Sequence, residues 1–391
     1  MRRVYADNNA TTKVDDSVLK EMLPLFNEVY GNPSSMHTFG AEAEKKLRQA
    51  RERVADFIKA DPSEITFTGC GTESDNTALF GTLEAYPDRR HVITTKVEHP
   101  AVLNPCQLLA KKGYDVTFLS VDGEGMLDLD ELRGAIRDDT AIASIMYANN
   151  ETGVIFPIEE IGRIVKERGV VFHVDAVQAA GKIPLDVNKL NVDLLSISGH
   201  KIHAPKGVAA LYVRRGTKVR PLLVGGHQEK GRRGGTENLP SIIGFGKACE
   251  LAGEHLPEYS GRVNAMRDKL QDALLKTVPD ALVNGGKSPR IPNTLSIRFE
   301  YVEGESILLL LDREGIAASS GSACSSGSLE PSHVLRAMGI PYTSVHGSIR
   351  LSLSRFNTDE DVDYILEKFP PIISKLREIS PFVQTASGGG K

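Results

Sequence analysis

Four short stretches carry residues whose types and spacing suit chemistry. The first, around Gly69, Cys70, Gly71 and Thr72, is a glycine-bracketed turn running into a helical pattern; its free N–H groups and positive dipole end would suit a phosphate. Thr72 with Asp75 equally fits an ordinary capping box. The second places Asp175 at the end of an apolar run and Gln178 three residues on. A carboxylate there can pair with a protonated heterocyclic nitrogen while the amide donates to a ring oxygen, or the Asp can simply cap a turn. The third is Ser198, Gly199, His200 and Lys201, again after an apolar run, where a lysine is placed for a lowered pKa and imine formation. A surface lysine is the bland alternative. The fourth is Cys324, with four Ser or Gly among the five residues on either side: a connector that contains a thiol, or an arm that carries one.

The first three stretches must be held by something, and the pattern between about Ser63 and Arg214 supplies it. Apolar strand-like runs (ITFTG, HVITTKV, DVTFLSV, AIASIMYA, VVFHVDA, LLSISG, VAALYVRR) alternate with helical stretches, which predicts an α/β domain with a mainly parallel seven-stranded sheet. In such sheets ligands gather at the carboxyl ends of the strands. Past Glu250 the rhythm changes to a smaller α+β domain with mostly antiparallel strands. The expected organisation is 1–15 at the domain junction, 16–250 as the large domain, 251–380 as the small domain carrying the Cys324 loop, and 381–391 as a flexible tail.

Bulk properties narrow the function. The chain of 391 residues has 47 Lys+Arg against 51 Asp+Glu, a net charge of −4, and lacks a basic stripe, so nucleic acid is not an expected partner. Two arginines near the start precede no apolar segment, and the run Ile307 to Leu311 is too short to span a bilayer; a soluble cytoplasmic protein without membrane contact is expected. Cys70, Cys106, Cys249 and Cys324 are far apart, which suggests neither a zinc site nor a disulfide framework.

The ordered motifs YADNNATT, GNPSSMH, CGTES, EHPAV, ANNETG, HVDAVQ, SGHKIHAPKG, GGHQEKGRRGGTEN and SSGSACSSG run through the chain to about Arg377. Together they resemble the NifS/IscS-type cysteine desulfurases of the class-V aminotransferase family, fold-type I pyridoxal-phosphate enzymes, with most likeness to the nitrogen-fixation branch. The resemblance implies that Lys201 holds pyridoxal phosphate covalently, Asp175 pairs with its ring nitrogen, Gln178 meets its phenolic oxygen and His99 stacks on the ring and moves protons. It implies further that Gly71, Thr72, Ser198 and His200 bind the phosphate, that Gly199 and Asn150 also belong to the cofactor site, and that Thr236 reaches the phosphate of a partner subunit in a homodimer. Asn150 and Arg350 would hold L-cysteine, with Arg350 forking onto its carboxylate. Cys324 would take the sulfur as a persulfide, leave alanine, and contact iron–sulfur species transiently while serving an iron–sulfur scaffold protein. The alternatives are a selenocysteine lyase or aminotransferase of the same fold and, from another class, a persulfide carrier or scaffold.

Overall fold

The structure is a computed structural model describing residues 2–320 and 331–380; Cys324 and the 381–391 tail lie outside the described residues. Its centre is a seven-stranded sheet of β2 (Ile65–Thr68), β3 (His91–Thr95), β4 (Asp115–Leu119), β5 (Thr140–Met146), β6 (Val171–Asp175), β7 (Leu194–Ser198) and β8 (Ala209–Val213), while β1 (Val4–Tyr5) lies elsewhere. The sheet order is β2-β8-β7-β6-β5-β3-β4. The pairs β3–β4, β3–β5, β5–β6 and β6–β7 are parallel, and β8 runs antiparallel to both β7 and β2. Two reversals restore direction, so β2 points the same way as β7. The carboxyl ends of β2, β3, β5, β6 and β7 therefore share one edge.

Strands β5, β6 and β7 are buried along their whole length, as expected for strands covered by helices on both faces. One cluster includes Phe172, Val174 and Ile197 with Val54 and Phe245 from the helices Thr38–Ile58 and Leu239–Glu254. Another joins Leu194, Leu211 and Ile142 to Leu79 of helix Gly71–Ala85 and Val102 of helix Pro100–Lys111. Removing Leu79, fully buried there, by Leu79→Ala should cost about 2–5 kcal/mol, read as a lowered denaturation midpoint.

A second sheet of β9 (Ala281–Val283), β10 (Thr294–Phe299), β12 (Ser319–Ser320) and β13 (Ser348–Ser352) is antiparallel, in the order β12-β13-β10-β9. Its core includes Leu295, Ile297, Ile349 and Leu351 with Ile365 and Phe369 of helix Asp359–Ile379. The N-terminal strand β1 pairs parallel with β11 (Ile316–Ala317). The chain then crosses back: Asp7 bridges Ser352, and the Thr12 N–H donates to the His200 carbonyl at 2.9 Å. Residues 5–12 thus run between the two sheets.

Candidate active site

A cavity of about 300 Å³ opens at the shared carboxyl edge, and its lining includes Gly71, Thr72, His99, Asn150, Asp175, Gln178, Ser198, His200, Lys201 and Arg350. Gly199 sits behind this wall in a tight turn, where a Cβ would lie 2.9 Å from Val208 Cγ1. Thr236 is exposed and does not line the cavity. Thus residues spread over 280 positions of sequence meet because their strands end at one edge and β13 approaches it from the second sheet.

One end of the cavity is the start of helix Gly71–Ala85. Its N-cap is Cys70, which gives the first turn no side-chain hydrogen bond. The Thr72/Asp75 capping box is not formed, because the helix begins at Gly71, before Thr72. Asp75 instead turns inward, with Oδ1 3.6 Å from His173 Nε2. Glu73 points away from the opening: Oε2 accepts from the Gly69 N–H at 2.8 Å and Oε1 from Arg233 Nε at 2.9 Å. Its charge is therefore compensated. Ser198 Oγ is buried without a hydrogen-bond partner among the described residues, and a Cβ on Gly71 would press to 3.2 Å from Val177 Cγ2. First-turn N–H groups without a side-chain cap, an unmatched hydroxyl and a close glycine form a cradle suited to an anion.

The floor is a group of buried acids. Asp175 Oδ1 accepts from the Val177 N–H at 2.9 Å. Burial lifts its pKa to about 6, while that N–H and the nearby Lys201 pull it back. Asp75 is pushed well above the usual carboxylate range by burial and then by Asp175. Glu98 is raised to about 8 by burial, although Met146 N–H at 3.0 Å and Thr95 Oγ1 at 2.7 Å donate to its Oε1. His173, held by Ser144 Oγ at 2.8 Å and Ser196 Oγ at 3.0 Å, is lowered by burial to about 3 and stays neutral. Near neutral pH the negative charge of the floor therefore resides on Asp175.

Glu98 yields a stability prediction. A carboxyl raised from 4.5 to about 8 on folding contributes stability that is complete below the unfolded value and is lost as pH rises toward the folded one, by about 1.4 kcal/mol per pH unit. Glu98→Gln, uncharged at every pH, should flatten this slope between pH 5 and 8 in denaturant titrations of the apoprotein. An unchanged slope would contradict a protonated Glu98.

Lys201 Nζ donates to the carbonyls of Asn9 at 2.6 Å and Ala10 at 2.8 Å. Gln178 Nε2 donates to the same Asn9 carbonyl at 2.9 Å, and its Oε1 lacks a partner among the described residues. His99 caps helix Pro100–Lys111: Nδ1 accepts from the Ala101 N–H at 3.1 Å, which places the proton of the neutral ring on Nε2. Burial first, and then the Lys201 charge, lower its pKa to about 4. His200 is lowered to about 4 by the same two causes. Arg350 is buried and donates from Nη1 to the Asn150 carbonyl at 2.9 Å and from Nη2 to Asp7 at 2.7 Å; its Nε is unmatched among the described residues.

The aminotransferase class-V family model matches residues 4–365. The chain belongs to that family. Class-V aminotransferase relatives include a cysteine desulfurase from Trichormus azollae, 59% identical over 388 residues that cover 99% of this chain and 97% of the relative. Cysteine desulfurase NifS of Azotobacter vinelandii is 56% identical, covering 98% and 95%. Among solved structures, a NifS-like protein superposes with a TM-score of 0.90 at 44% identity over 96% of this chain and all of that one. Another, solved as SspA in complex with cysteine, does so with a TM-score of 0.80 at 35% identity, covering 91% and 100%. The fold is thus the fold-type I architecture of class-V pyridoxal-phosphate enzymes.

The cavity fits that cofactor. The cradle suits its phosphate, the ionised Asp175 suits a protonated ring nitrogen, and Lys201 supplies an amine on the same wall. One participant escaped the reading of the sequence on physical grounds. Asn9 is 1% exposed and bonded on every side, from Nδ2 to Thr294 Oγ1 at 2.8 Å, to Oδ1 from Asn293 at 3.1 Å, and through its carbonyl to Lys201 and Gln178. Its only signal was an Asn-rich segment near the start. Cys70 is exposed at the cavity rim, whereas Cys106 and Cys249 are buried.

Proposed function

We propose that this chain is a cysteine desulfurase that transfers the sulfur of L-cysteine to Cys324 and releases alanine. The observation that carries the reading is the meeting of Lys201, Asp175, His99 and Arg350 around one cavity, in a chain more than half identical to proteins named for that activity. Pyridoxal phosphate, when bound, supplies the electron sink that makes the substrate Cα proton and Cβ–sulfur bond labile. The chain supplies the rest. Arg350 forks onto the carboxylate, and the Lys201 amine, once freed from the cofactor, takes the Cα proton. Asp175 holds the negative charge that keeps the ring nitrogen protonated. His99, with its proton on Nε2, is placed to give a proton. The Cys324 thiolate bonds to the substrate sulfur as the C–S bond breaks; the electron pair stays with carbon, which is protonated to give alanine. A solution of purified protein should be yellow and should release alanine from L-cysteine in step with sulfur. Conversion of L-cysteine to its keto acid with the sulfur retained and no alanine would favour the aminotransferase reading, and absence of any turnover the carrier reading.

The working unit in this proposal is a cytoplasmic homodimer that serves an iron–sulfur scaffold in nitrogen-fixing metabolism, as the resemblance of its motifs to the nitrogen-fixation branch implies. The loop bearing Thr236 supports a shared site: Glu229 beside it accepts both Arg51 Nη atoms at 2.7 Å, and Arg233 pairs with Glu73 at 2.9 Å. The loop is thus pinned to the cradle while Thr236 faces outward. Leu222, Leu223 and Val224 close by are exposed, as an apolar contact would need. Sedimentation of cofactor-loaded protein should give a dimer, with Thr236→Ala losing cofactor more readily; a fully active monomer would contradict it.

A further inference from the structure

Arg350 does not meet the cavity as a bare cation. It is 4% exposed and has an acidic setting: Asp7 accepts from Nη2 at 2.7 Å, and Glu151 stands near enough for the guanidinium to lower its pKa, although burial dominates and lifts it to about 7. Ser332 Oγ donates to Glu151 Oε2 at 2.5 Å. Asp7 is fixed by backbone, through the Asp7–Ser352 bridge one turn of pleat from Arg350 on β13, and by the Asn8 N–H to the Ser352 carbonyl at 3.1 Å. Asp7 does not itself line the cavity, whereas Arg350 does. Nη1 and Nη2 each give one N–H to these partners, so that the unmatched Nε and a remaining Nη hydrogen leave a two-pronged donor for a carboxylate.

These facts set the charge that an incoming ligand meets. A buried guanidinium alone would bind any small carboxylate tightly, because unpaired charge in a low-dielectric wall is costly. With Asp7 attached the pair is neutral, and counting the Arg350–Asp7 pair with its ligand alone, a ligand that brings only a carboxylate leaves one net negative charge. A ligand that also brings an ammonium leaves none. We propose that Asp7 is a positioning residue that neutralises Arg350, so that the carboxylate site takes amino-acid zwitterions in preference to simple carboxylate anions. This rests on the reading of Arg350 as the substrate-carboxylate site and concerns the encounter before any covalent step.

The test compares two isosteric probes on the cofactor-loaded enzyme, dimethylglycine and isovalerate. They differ by an ammonium charge, and neither can be linked covalently to the cofactor, since the amine of dimethylglycine is tertiary. Calorimetric titration should show wild type favouring dimethylglycine. Asp7→Asn should shift the ratio of the two dissociation constants toward isovalerate by about tenfold, the size of one desolvated charge contact, and Asp7→Glu should restore it. A purely structural loss at Asp7 would weaken both probes alike. An unchanged ratio in Asp7→Asn, or equal weakening of both, overturns the proposal, and so does failure of the wild type to bind either probe. Desulfuration of L-cysteine, assayed separately, reports on the underlying activity, so that an unchanged probe ratio with intact sulfur release rejects Asp7 alone.

Discussion

Lys201→Ala should lower the release of sulfur from L-cysteine by roughly 10⁴-fold or more, because in the proposed mechanism it removes both the amine that anchors the cofactor and the base for the Cα proton. Cofactor should still bind noncovalently, since Asp175 and the helix cradle are untouched; its absorption should persist but wash out on dialysis. Borohydride reduction of wild type followed by peptide mapping should label Lys201. The structure identifies the amine that most needs excluding. Lys182 is 3% exposed, lacks a hydrogen-bond partner among the described residues, and is lowered to about 7 by burial and then by Lys201. It is therefore nucleophilic in principle, yet it does not line the cavity, whereas Lys201 does. Label on Lys182 or Lys206 would reject the assignment.

The strands and the edge at which chemistry gathers were legible in the sequence because β5, β6 and β7 are buried on both faces, which writes them as nearly unbroken apolar runs. Asp175 and Ser198 end β6 and β7, so strand ends and candidate residues could be read together. The reversal of β8 was not legible: Ala209–Val213 is as apolar as the strands of the sheet that run parallel to one another, and periodicity carries no direction. The pairing of Val4 with Ile316 is a tertiary hydrogen-bond ladder between two-residue strands too short to leave a pattern. Asn9 likewise acquires its role only when residues from both sheets converge on its carbonyl and amide. The neutral states of Asp75, Glu98 and His173 come from desolvation, which is a property of the packed edge and not of residue type. The Thr72/Asp75 spacing left a capping box open beside the phosphate turn, and the choice fell only with the helix start at Gly71, whose N-cap, Cys70, gives no side-chain hydrogen bond.

Cys324→Ser should separate substrate binding from sulfur transfer. The variant should bind pyridoxal phosphate and L-cysteine with spectra like wild type, because Lys201, Asp175, His99 and Arg350 remain, while sulfur release falls by roughly 10³-fold or more for want of a thiolate. Serine is the appropriate probe: it nearly preserves size but is not ionised near neutral pH and cannot hold a persulfide. The chain is tied to the site on both sides of the 321–330 segment that contains Cys324. Before it, Ser319 pairs with Arg350 in the β12–β13 ladder. After it, His333 Nε2 meets the Glu98 carbonyl at 2.9 Å beside His99, and Ser332 reaches Glu151. Of the other thiols, burial pushes Cys106 up to about 12 and raises Cys249 well above the ordinary value, so neither supplies a thiolate at neutral pH. Cys70, exposed at the rim, is the rival to exclude. Wild type given L-cysteine without reductant should gain one sulfur on the peptide holding Cys324, and Cys70→Ala should leave that adduct intact. Sustained sulfide release by Cys324→Ser, or an adduct confined to Cys70, would transfer the acceptor role to the cradle and reject Cys324.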